Sequence, residues 1–234
     1  MKETIYTIPI NDAFSADCEC PICEFMQAEE SKAIDYALGA SMMEPDARIA
    51  SNENGYCQRH TQMMYDFGNK LSHALVLETR LDFLIENLDS YAKSLRSPKK
   101  NKFGTDKEKK LNCTQTCTIC SKLERIQSDF VSNLFYMYKK DNSFREKFFS
   151  CKGFCLRHFE YLANTASKHL ESKASVNFLN KLTELQRNNL VRVKEDVNWF
   201  TKKFDYRYRD EDWKNSKDAV IRASQKISCY IKEK

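Results

Sequence analysis

One pattern of cysteine and histidine occurs twice in this chain of 234 residues. Each copy has a Cys-x-x-Cys pair followed, after 33 or 34 residues, by a Cys-x-x-His pair. The eight residues are Cys20, Cys23, Cys57 and His60 in the first copy, and Cys117, Cys120, Cys155 and His158 in the second. The copies are offset by 97 residues at the first pair and by 98 at the second. This order and spacing predict an internal repeat of roughly 100 residues.

The residue types in this pattern are those of a metal site. A two-residue spacer lets both side chains of a pair turn toward one point, and two pairs supply three thiolates and one imidazole. This set suits tetrahedral Zn²⁺. The long segment between the pairs is no obstacle, because closure entropy grows slowly with loop length. We expect each half to complete its own Cys₃His zinc site, and four protein ligands indicate a structural role.

The chain has more cysteine than two zinc sites need. The four further cysteines are Cys18, Cys113, Cys151 and Cys229. They could complete an all-cysteine site, replace a histidine ligand or carry redox chemistry. An iron–sulfur or thiol redox protein is therefore the alternative, although we favour zinc. Duplicated buried thiols without a metal would not explain why His60 and His158 recur at a fixed spacing.

The apolar content and the first residues of the chain indicate the cellular compartment in which the thiols are found. No run of 18 apolar residues occurs, so we expect no membrane span. The first residues, MKETIYTIPINDAF, lack the basic start and apolar stretch of a signal peptide. We therefore expect a cytoplasmic protein, in which thiols are kept reduced and cysteines serve metal binding or redox chemistry.

Apolar residues recur at steps of three and four through most of the chain, which is typical of amphipathic helices. Only five glycines and four prolines interrupt them. From Cys57 the pattern predicts one helix of nearly forty residues. The second copy predicts a long helix with a break near residues 171–175. Shorter helices are predicted over 22–39, 46–53, 118–139, 143–150 and 216–231. The fold is predicted to be all-α, a bundle of two pseudo-repeats, each with a Cys₃His site at the base of a long helix.

The repeat also suggests the domain organisation. We predict a first metal-binding repeat over 1–95, a basic linker over 96–112, a second metal-binding repeat over 113–205, and a C-terminal tail and helix over 206–234. The linker begins RSPKKNKFGTDKEKK and combines Pro and Gly with many lysines, as exposed linkers do.

Charge is distributed unevenly along the chain. Residues 1–95 hold 7 Lys+Arg and 16 Asp+Glu, whereas residues 96–234 hold 31 and 17. A basic second half could bind an acidic protein or a nucleic acid. Alternatively, the acidic and basic parts face each other or are simply solvated, which we favour.

Nothing in the sequence marks an enzyme, since it contains no Gly-rich phosphate loop and no Ser-His-Asp arrangement. Glu44 and Asp46 could place carboxylates near the first metal site and support a metal-dependent enzyme, but helix capping or charge pairing is the simpler role.

The segment DYRYRDEDW, 205–213, could stack on bases or pack a tail over the bundle, and we favour packing.

Four arginines occupy matching positions in the two copies. Arg59 and Arg157 precede the two ligand histidines and could offset the negative charge of a Cys₃His zinc site, or lie at the surface. Arg48 and Arg145 are expected to pair with carboxylates inside the domain. His73 and His169 lack cysteine partners and are expected to be ordinary histidines.

Three stretches carry a resemblance to a known family: CPIC, LGASMMEPDARIASNENGYCQRH and DYRYRDEDWKNSKDAVIRA. The chain resembles a family of uncharacterised bacterial proteins with duplicated CPIC and GFC-x-x-H motifs, found mainly in anaerobic Gram-positive lineages. The similarity covers nearly the whole chain. It supports the ligand assignment and the helical architecture and implies no activity. It adds weight to the iron–sulfur alternative, because anaerobes use such clusters freely.

Overall fold

The computed structural model describes residues 7–96 and 116–229, apart from the side chains of residues 94–96. These residues form ten α-helices and no strand. The helices are α1 (Ile8–Ser15), α2 (Pro21–Leu38), α3 (Pro45–Asn54), α4 (Gln58–Asp66), α5 (Lys70–Arg96), α6 (Thr118–Lys140), α7 (Asn142–Ser150), α8 (Leu156–His169), α9 (Ser172–Lys202) and α10 (Ala219–Ser228). The prediction of an all-α fold is confirmed. No helix within the described ranges is both long and apolar enough to span a membrane.

The chain divides into two compact units, and the first joins both ends of the chain. The first unit contains residues 1–28 and 127–234, and the second contains residues 29–126. The divisions fall within α2 and within α6. These boundaries differ from the halves of the sequence repeat, because each half contributes to both units. Cys113 and most of the predicted linker lie outside the described residues.

The first unit is built around aromatic side chains. Phe148 is fully buried, and its ring lies 5.4 Å from that of Phe14 and 5.6 Å from that of Phe178. These contacts join α1, α7 and α9, and α10 packs against α8 and α9. Buried aromatic rings contribute large apolar area and prefer such offset or tilted contacts. The metal-site motifs of this unit therefore lie on helices that the same core holds in place.

The second unit has a smaller core. Its buried residues are Ala33, Ile34, Ala37, Leu38, Met64, Val76, Cys117 and Ile119. They come from α2, α4, α5 and the start of α6, and α3 packs against α5. Cys117 lies just before α6 and Ile119 lies in its first turn, so the Cys-x-x-Cys segment is itself part of this core.

The long helix predicted from Cys57 is broken. α4 ends at Asp66 and α5 begins at Lys70, and between them Gly68 has φ +91°. A positive φ of this size is a backbone conformation that only glycine adopts readily, so the helix stops there. In the second copy the break lies at residues 170–171, between α8 and α9, next to the predicted position.

Candidate metal centres

Cys20, Cys23, Cys155 and His158 form the first cluster, in the first unit. All four side chains are buried, and their donor atoms lie within 4.8 Å of one another. His158 Nδ1 lies 3.4 Å from Cys20 Sγ, 3.3 Å from Cys23 Sγ and 3.3 Å from Cys155 Sγ. The Cys23 and Cys155 sulfurs are 3.6 Å apart. Four donor atoms therefore face one point.

Cys57, His60, Cys117 and Cys120 form the second cluster, in the second unit, with the same arrangement. His60 Nδ1 lies 3.2 Å from the sulfurs of Cys57 and Cys117 and 3.4 Å from that of Cys120. Cys57 Sγ and Cys120 Sγ are 3.9 Å apart. His60 and Cys117 are buried and the other two are half-buried. Both clusters are thus compatible with metal binding.

The second member of each pair lies in the first turn of a helix. Cys57 and Cys155 are the N-cap residues of α4 and α8, with almost identical backbone angles. The histidine three residues later is on the same side of the first turn. Free N–H groups and the helix dipole at such an end favour thiolates. The local fold therefore gives both histidines and their cysteine neighbours the same geometry.

A glycine with positive φ precedes each Cys-x-x-His pair. Gly55 has φ +65° and Gly153 has φ +79°. In the first unit, Gln186 of α9 holds this turn, accepting from Phe154 N at 3.0 Å and donating to Phe154 O at 2.8 Å. In the second unit, Thr118 N donates to Gly55 O at 3.0 Å. That bond ties the turn directly to the Cys-x-x-Cys segment.

The structure pairs the motifs across the two copies, and the expectation that each half completes its own site is wrong. The first Cys-x-x-Cys meets the second Cys-x-x-His, and the second Cys-x-x-Cys meets the first Cys-x-x-His. Helix α2 has 18 residues, which carry the chain about 27 Å away from its start. The turn at Gly55 instead hydrogen-bonds to the start of α6. The donor set of each cluster, Cys₃His, is unchanged.

A carboxylate supports the histidine of the second cluster. His60 Nε2 lies 2.9 Å from Glu30 Oε1, and Arg59 donates to Glu30 Oε2 at 2.6 Å. Glu30 is buried and comes from α2. Burial opposes protonation of His60, but hydrogen bonds with Cys117 and Glu30 outweigh it and raise the pKa of the imidazole to about 10. Both Arg59 and Arg157 are exposed, and Arg59 pairs with the buried Glu30 carboxylate beside the cluster.

The thiols of the second cluster are not equivalent in acidity. Burial opposes ionisation of Cys117, yet the hydrogen bond with His60 outweighs it and lowers the pKa of this thiol to about 6. Burial and the neighbouring Cys117 sulfur raise the pKa of Cys120 to about 12. Several sulfurs this close together cannot all ionise easily without a cation between them.

A group of paired charges lies beside the first cluster, and no carboxylate of the described residues contacts its histidine. Glu19 precedes Cys20, is 5 % exposed and accepts from Arg192 at 2.7 Å and from Lys226 at 3.1 Å. Lys226 is 1 % exposed and also donates to the main-chain oxygens of Glu19 and Lys152. Burial lowers the pKa of Lys226, although Glu19 favours its charged form. This lysine ties α10 to the segment that carries Cys20.

Burial opposes ionisation of Cys20, but hydrogen bonds with Cys155 and Cys23 lower the pKa of the Cys20 thiol well below its usual value. Hydrogen bonding with Cys155 and Cys20 raises the pKa of Cys23. As in the second cluster, the pKa of one thiol of the Cys-x-x-Cys pair is lowered and that of the other is raised.

Three of the surplus cysteines lie in the first unit. Cys229 follows α10, and its sulfur lies 3.5 Å from that of Cys155. Burial raises the pKa of Cys18 to about 11 and that of Cys151 to about 12. None of the three belongs to the four-residue donor group. The sequence offered no signal that Cys229, rather than Cys18 or Cys151, would lie against a cluster sulfur.

Within the described residues, Arg48 and Arg145 bind main-chain oxygens and not the carboxylates that were expected. Arg48 donates to Met42 O at 3.2 Å, and Arg145 donates to Tyr138 O at 2.6 Å and Lys139 O at 2.9 Å. Each arginine lies in the first turns of the short helix α3 or α7 and binds main-chain oxygens of the preceding segment. Such oxygens at the end of a helix lack intrahelical partners, which explains the preference.

The carboxylates near the start of α3 are not part of either cluster. Glu44 accepts a hydrogen bond from the Tyr36 hydroxyl at 2.5 Å, and Asp46 lies in the first turn of α3. His73 is buried and His169 stacks on Phe135, and neither histidine belongs to a donor group within the part of the chain that the structure describes.

The aromatic tail segment packs against the end of α9. The Tyr208 ring lies 5.9 Å from Trp199 and the Trp213 ring 5.9 Å from Phe200. The packing interpretation is confirmed for these two residues, whereas Tyr206 is 86 % exposed.

Fold and site together define an all-α protein with two Cys₃His clusters that could hold metal ions. The chain belongs to DUF6062, a family of unknown function, whose model matches residues 1–234. It is similar to an uncharacterized 23.9 kDa protein in the xynA 3′ region of Caldicellulosiruptor sp. (strain Rt8B.4). The two are 22 % identical over 190 residues, which cover 80 % of this chain and 83 % of the relative. No solved structure matches the chain.

Proposed function

We propose that this is a cytoplasmic zinc protein in which each cluster binds one structural Zn²⁺ and the metal-stabilised helices serve as an interaction module. The observation that carries the zinc proposal is the closed donor set. Each cluster supplies three sulfurs and one imidazole nitrogen within 4.8 Å of one another. Four protein ligands fill a tetrahedral ion and leave no position for a substrate, which is the structural pattern.

The spacing of the donor atoms supports one ion in each cluster rather than an iron–sulfur cluster. Zn–S bonds of about 2.3 Å and Zn–N bonds of about 2.0 Å place sulfurs about 3.8 Å from each other and about 3.5 Å from the nitrogen. The observed separations are 3.6 and 3.9 Å between sulfurs and 3.2–3.4 Å from sulfur to Nδ1. In an iron–sulfur cluster the ligands are divided among at least two irons, so some of their donor atoms stand farther apart than the 4.8 Å within which all four lie here.

The surrounding charges also fit such an ion. Three thiolates and one dication leave about one negative charge, by the ligand count of a Cys₃His site. In the first unit the buried Lys226 side chain lies beside this cluster. Its ammonium group contacts the Glu19 carboxylate and donates to the Glu19 carbonyl oxygen, just before Cys20. In the second unit Arg59 neutralises Glu30, so this carboxylate can orient His60 without adding an unpaired charge.

Metal content and the visible spectrum of protein purified without oxygen test the zinc proposal. We expect about two zincs per chain and no visible absorbance, as two closed Cys₃His sites require. Cys117→Ser should remove one zinc, whereas the matched control Cys18→Ser, outside both clusters, should remove none. Iron with an equal amount of sulfide and a brown colour would overturn the proposal in favour of the iron–sulfur alternative.

The interaction role is supported by an apolar seam on α5. Leu77, Leu81, Ile85 and Leu88 follow one another at steps of four, four and three, and are 41 to 68 % exposed. Such spacing places them on one helical face, as in the seam of a coiled coil. A leucine-rich seam is complementary to a second copy of itself, so we infer that two chains pair through α5.

The charge distribution favours a protein partner over nucleic acid. The two structural units carry 23 Lys+Arg against 19 Asp+Glu and 15 against 14, so the contrast between the sequence halves nearly disappears. Neither unit has the strong positive charge on which nucleic-acid affinity depends.

Sedimentation of the zinc-loaded protein tests the pairing. We expect a dimer, and Leu81→Glu should convert it to a monomer because it places a charge in the seam. Ser90→Glu, on the opposite face of α5, is the matched control and should remain dimeric. A monomeric wild-type protein at tens of micromolar, where specific dimers usually persist, would exclude the pairing through α5. Binding to nucleic acid at physiological salt would restore the alternative partner.

A further inference from the structure

A fifth thiol lies against the first cluster from outside. The Cys229 sulfur is 3.5 Å from the Cys155 sulfur, slightly closer than the cluster sulfur of Cys23 at 3.6 Å. Cys229 is nevertheless outside the group whose donor atoms all lie within 4.8 Å of one another. It is therefore a neighbour of one ligand and not a member of the set of four.

The position of this thiol is fixed by its surroundings. Cys229 follows α10, which packs against α8 and α9, and Lys226 anchors the same turn to the main chain of Glu19 and Lys152. Its backbone has φ +70°, a conformation that residues other than glycine rarely adopt. Among the described residues of the second unit, every cysteine belongs to the second cluster. The arrangement thus distinguishes the first cluster from the second.

We propose that Cys155 and Cys229 form an oxidation site, whose disulfide removes one ligand from the first cluster and releases its metal. The inference rests on the proposed function, because it requires a metal in that cluster. A disulfide needs the two sulfurs to approach from 3.5 Å to about 2.05 Å. The oxidant is a peroxide.

The reaction balances with hydrogen peroxide as the two-electron acceptor. The Cys155 thiolate attacks one peroxide oxygen, the O–O bond breaks, and a sulfenic acid and hydroxide result. The Cys229 sulfur then attacks the Cys155 sulfur, the S–O bond breaks, and the hydroxyl group leaves as water with the Cys229 proton. The two sulfurs lose two electrons, and peroxide becomes one water and one hydroxide.

The test treats zinc-loaded, reduced, full-length protein with hydrogen peroxide. Zinc release is followed with a chromophoric chelator, and disulfides are located by peptide mass. We expect one of two zincs to be released together with a Cys155–Cys229 linkage. Cys229→Ser should slow that release by about tenfold or more, because the sulfenic acid then lacks its neighbouring thiol. Cys151→Ser and Cys18→Ser, which remove nearby thiols outside the donor group, should behave like wild type.

The outcomes separate this inference from the proposed function. Absence of zinc in the reduced starting protein would contradict the proposed function. Two bound zincs with equal release from wild type and Cys229→Ser would overturn the oxidation site and leave the zinc assignment intact. A linkage of Cys155 to Cys20 or Cys23 would likewise overturn it.

Discussion

Glu30 determines which nitrogen of His60 faces the thiols. Its carboxylate accepts from Nε2–H at 2.9 Å, so Nδ1 is left toward three sulfurs at 3.2–3.4 Å. A carboxylate behind a metal-binding histidine fixes the ring and increases the basicity of the ligand nitrogen. One buried side chain of α2 thus prepares the second cluster for a cation.

Replacing Glu30 with Gln should weaken zinc binding at the second cluster by about 10- to 100-fold, the usual effect of removing such a partner. The first cluster should be unaffected, because its histidine does not contact Glu30. Competition with a chelator measures both affinities in one titration. Glu29→Gln is the matched control, since Glu29 instead pairs with Lys32. Equal affinities in wild type and Glu30→Gln would show that the carboxylate does not orient the ligand.

Spacing along the chain made the eight donor residues predictable, because Cys-x-x-Cys and Cys-x-x-His define ligand pairs locally. Glu30 and Lys226 could not be found in this way. Glu30 lies on α2, the helix that carries Cys23, yet it contacts the histidine of the other cluster, and Lys226 is 206 positions from Cys20. Their roles depend on contacts made only in the folded chain, for which single charged residues give no sequence signal.

Among the helices, the clearest difference from the prediction is the break between α4 and α5. Apolar periodicity continues through residues 64–71, so the pattern alone favours one helix. Gly68 ends it by adopting φ +91°, and Asn69 then accepts from Ser72 N at 3.2 Å near the start of α5. The other helix ends predicted between residues 22 and 150 lie within one residue of the observed ends. The end of α4 instead depends on the positive φ of Gly68, a conformation that glycine permits but does not require.

Gly68→Ala should lower the free energy of unfolding by about 1 kcal/mol, the usual cost of a left-handed conformation at a residue other than glycine. A Cβ at this position would meet no atom within 4 Å, so the loss reports backbone conformation alone. Denaturant unfolding of zinc-loaded protein measures it. Gly68→Asn should lose less, since Asn tolerates this conformation better. A more stable Ala variant would mean that α4 and α5 join into the continuous helix that the sequence pattern favours.

At the scale of the whole molecule, the exchange of motifs between the two copies decides the architecture. Either pairing gives two Cys₃His sets, and the entropy of closing a longer loop rises too slowly to exclude one of them. The donor chemistry and the spacing therefore could not distinguish the pairings. The distinction comes from α2, α6 and the turns at Gly55 and Gly153, which direct each pair toward its partner.

Zinc counts of double variants distinguish the two pairings. Cys23→Ala combined with Cys155→Ala damages only the first cluster, so one zinc per chain should remain, as in either single variant. Cys23→Ala combined with Cys57→Ala damages both clusters, and almost no zinc should remain. If each half closed its own site, the results would be reversed, because Cys23 and Cys57 would then share one ion. Removing a ligand from a closed site abolishes tight binding, so the measurement requires only the number of zincs per chain. Circular dichroism of each variant shows whether the helices persist, and the comparison is valid for the variants that retain them.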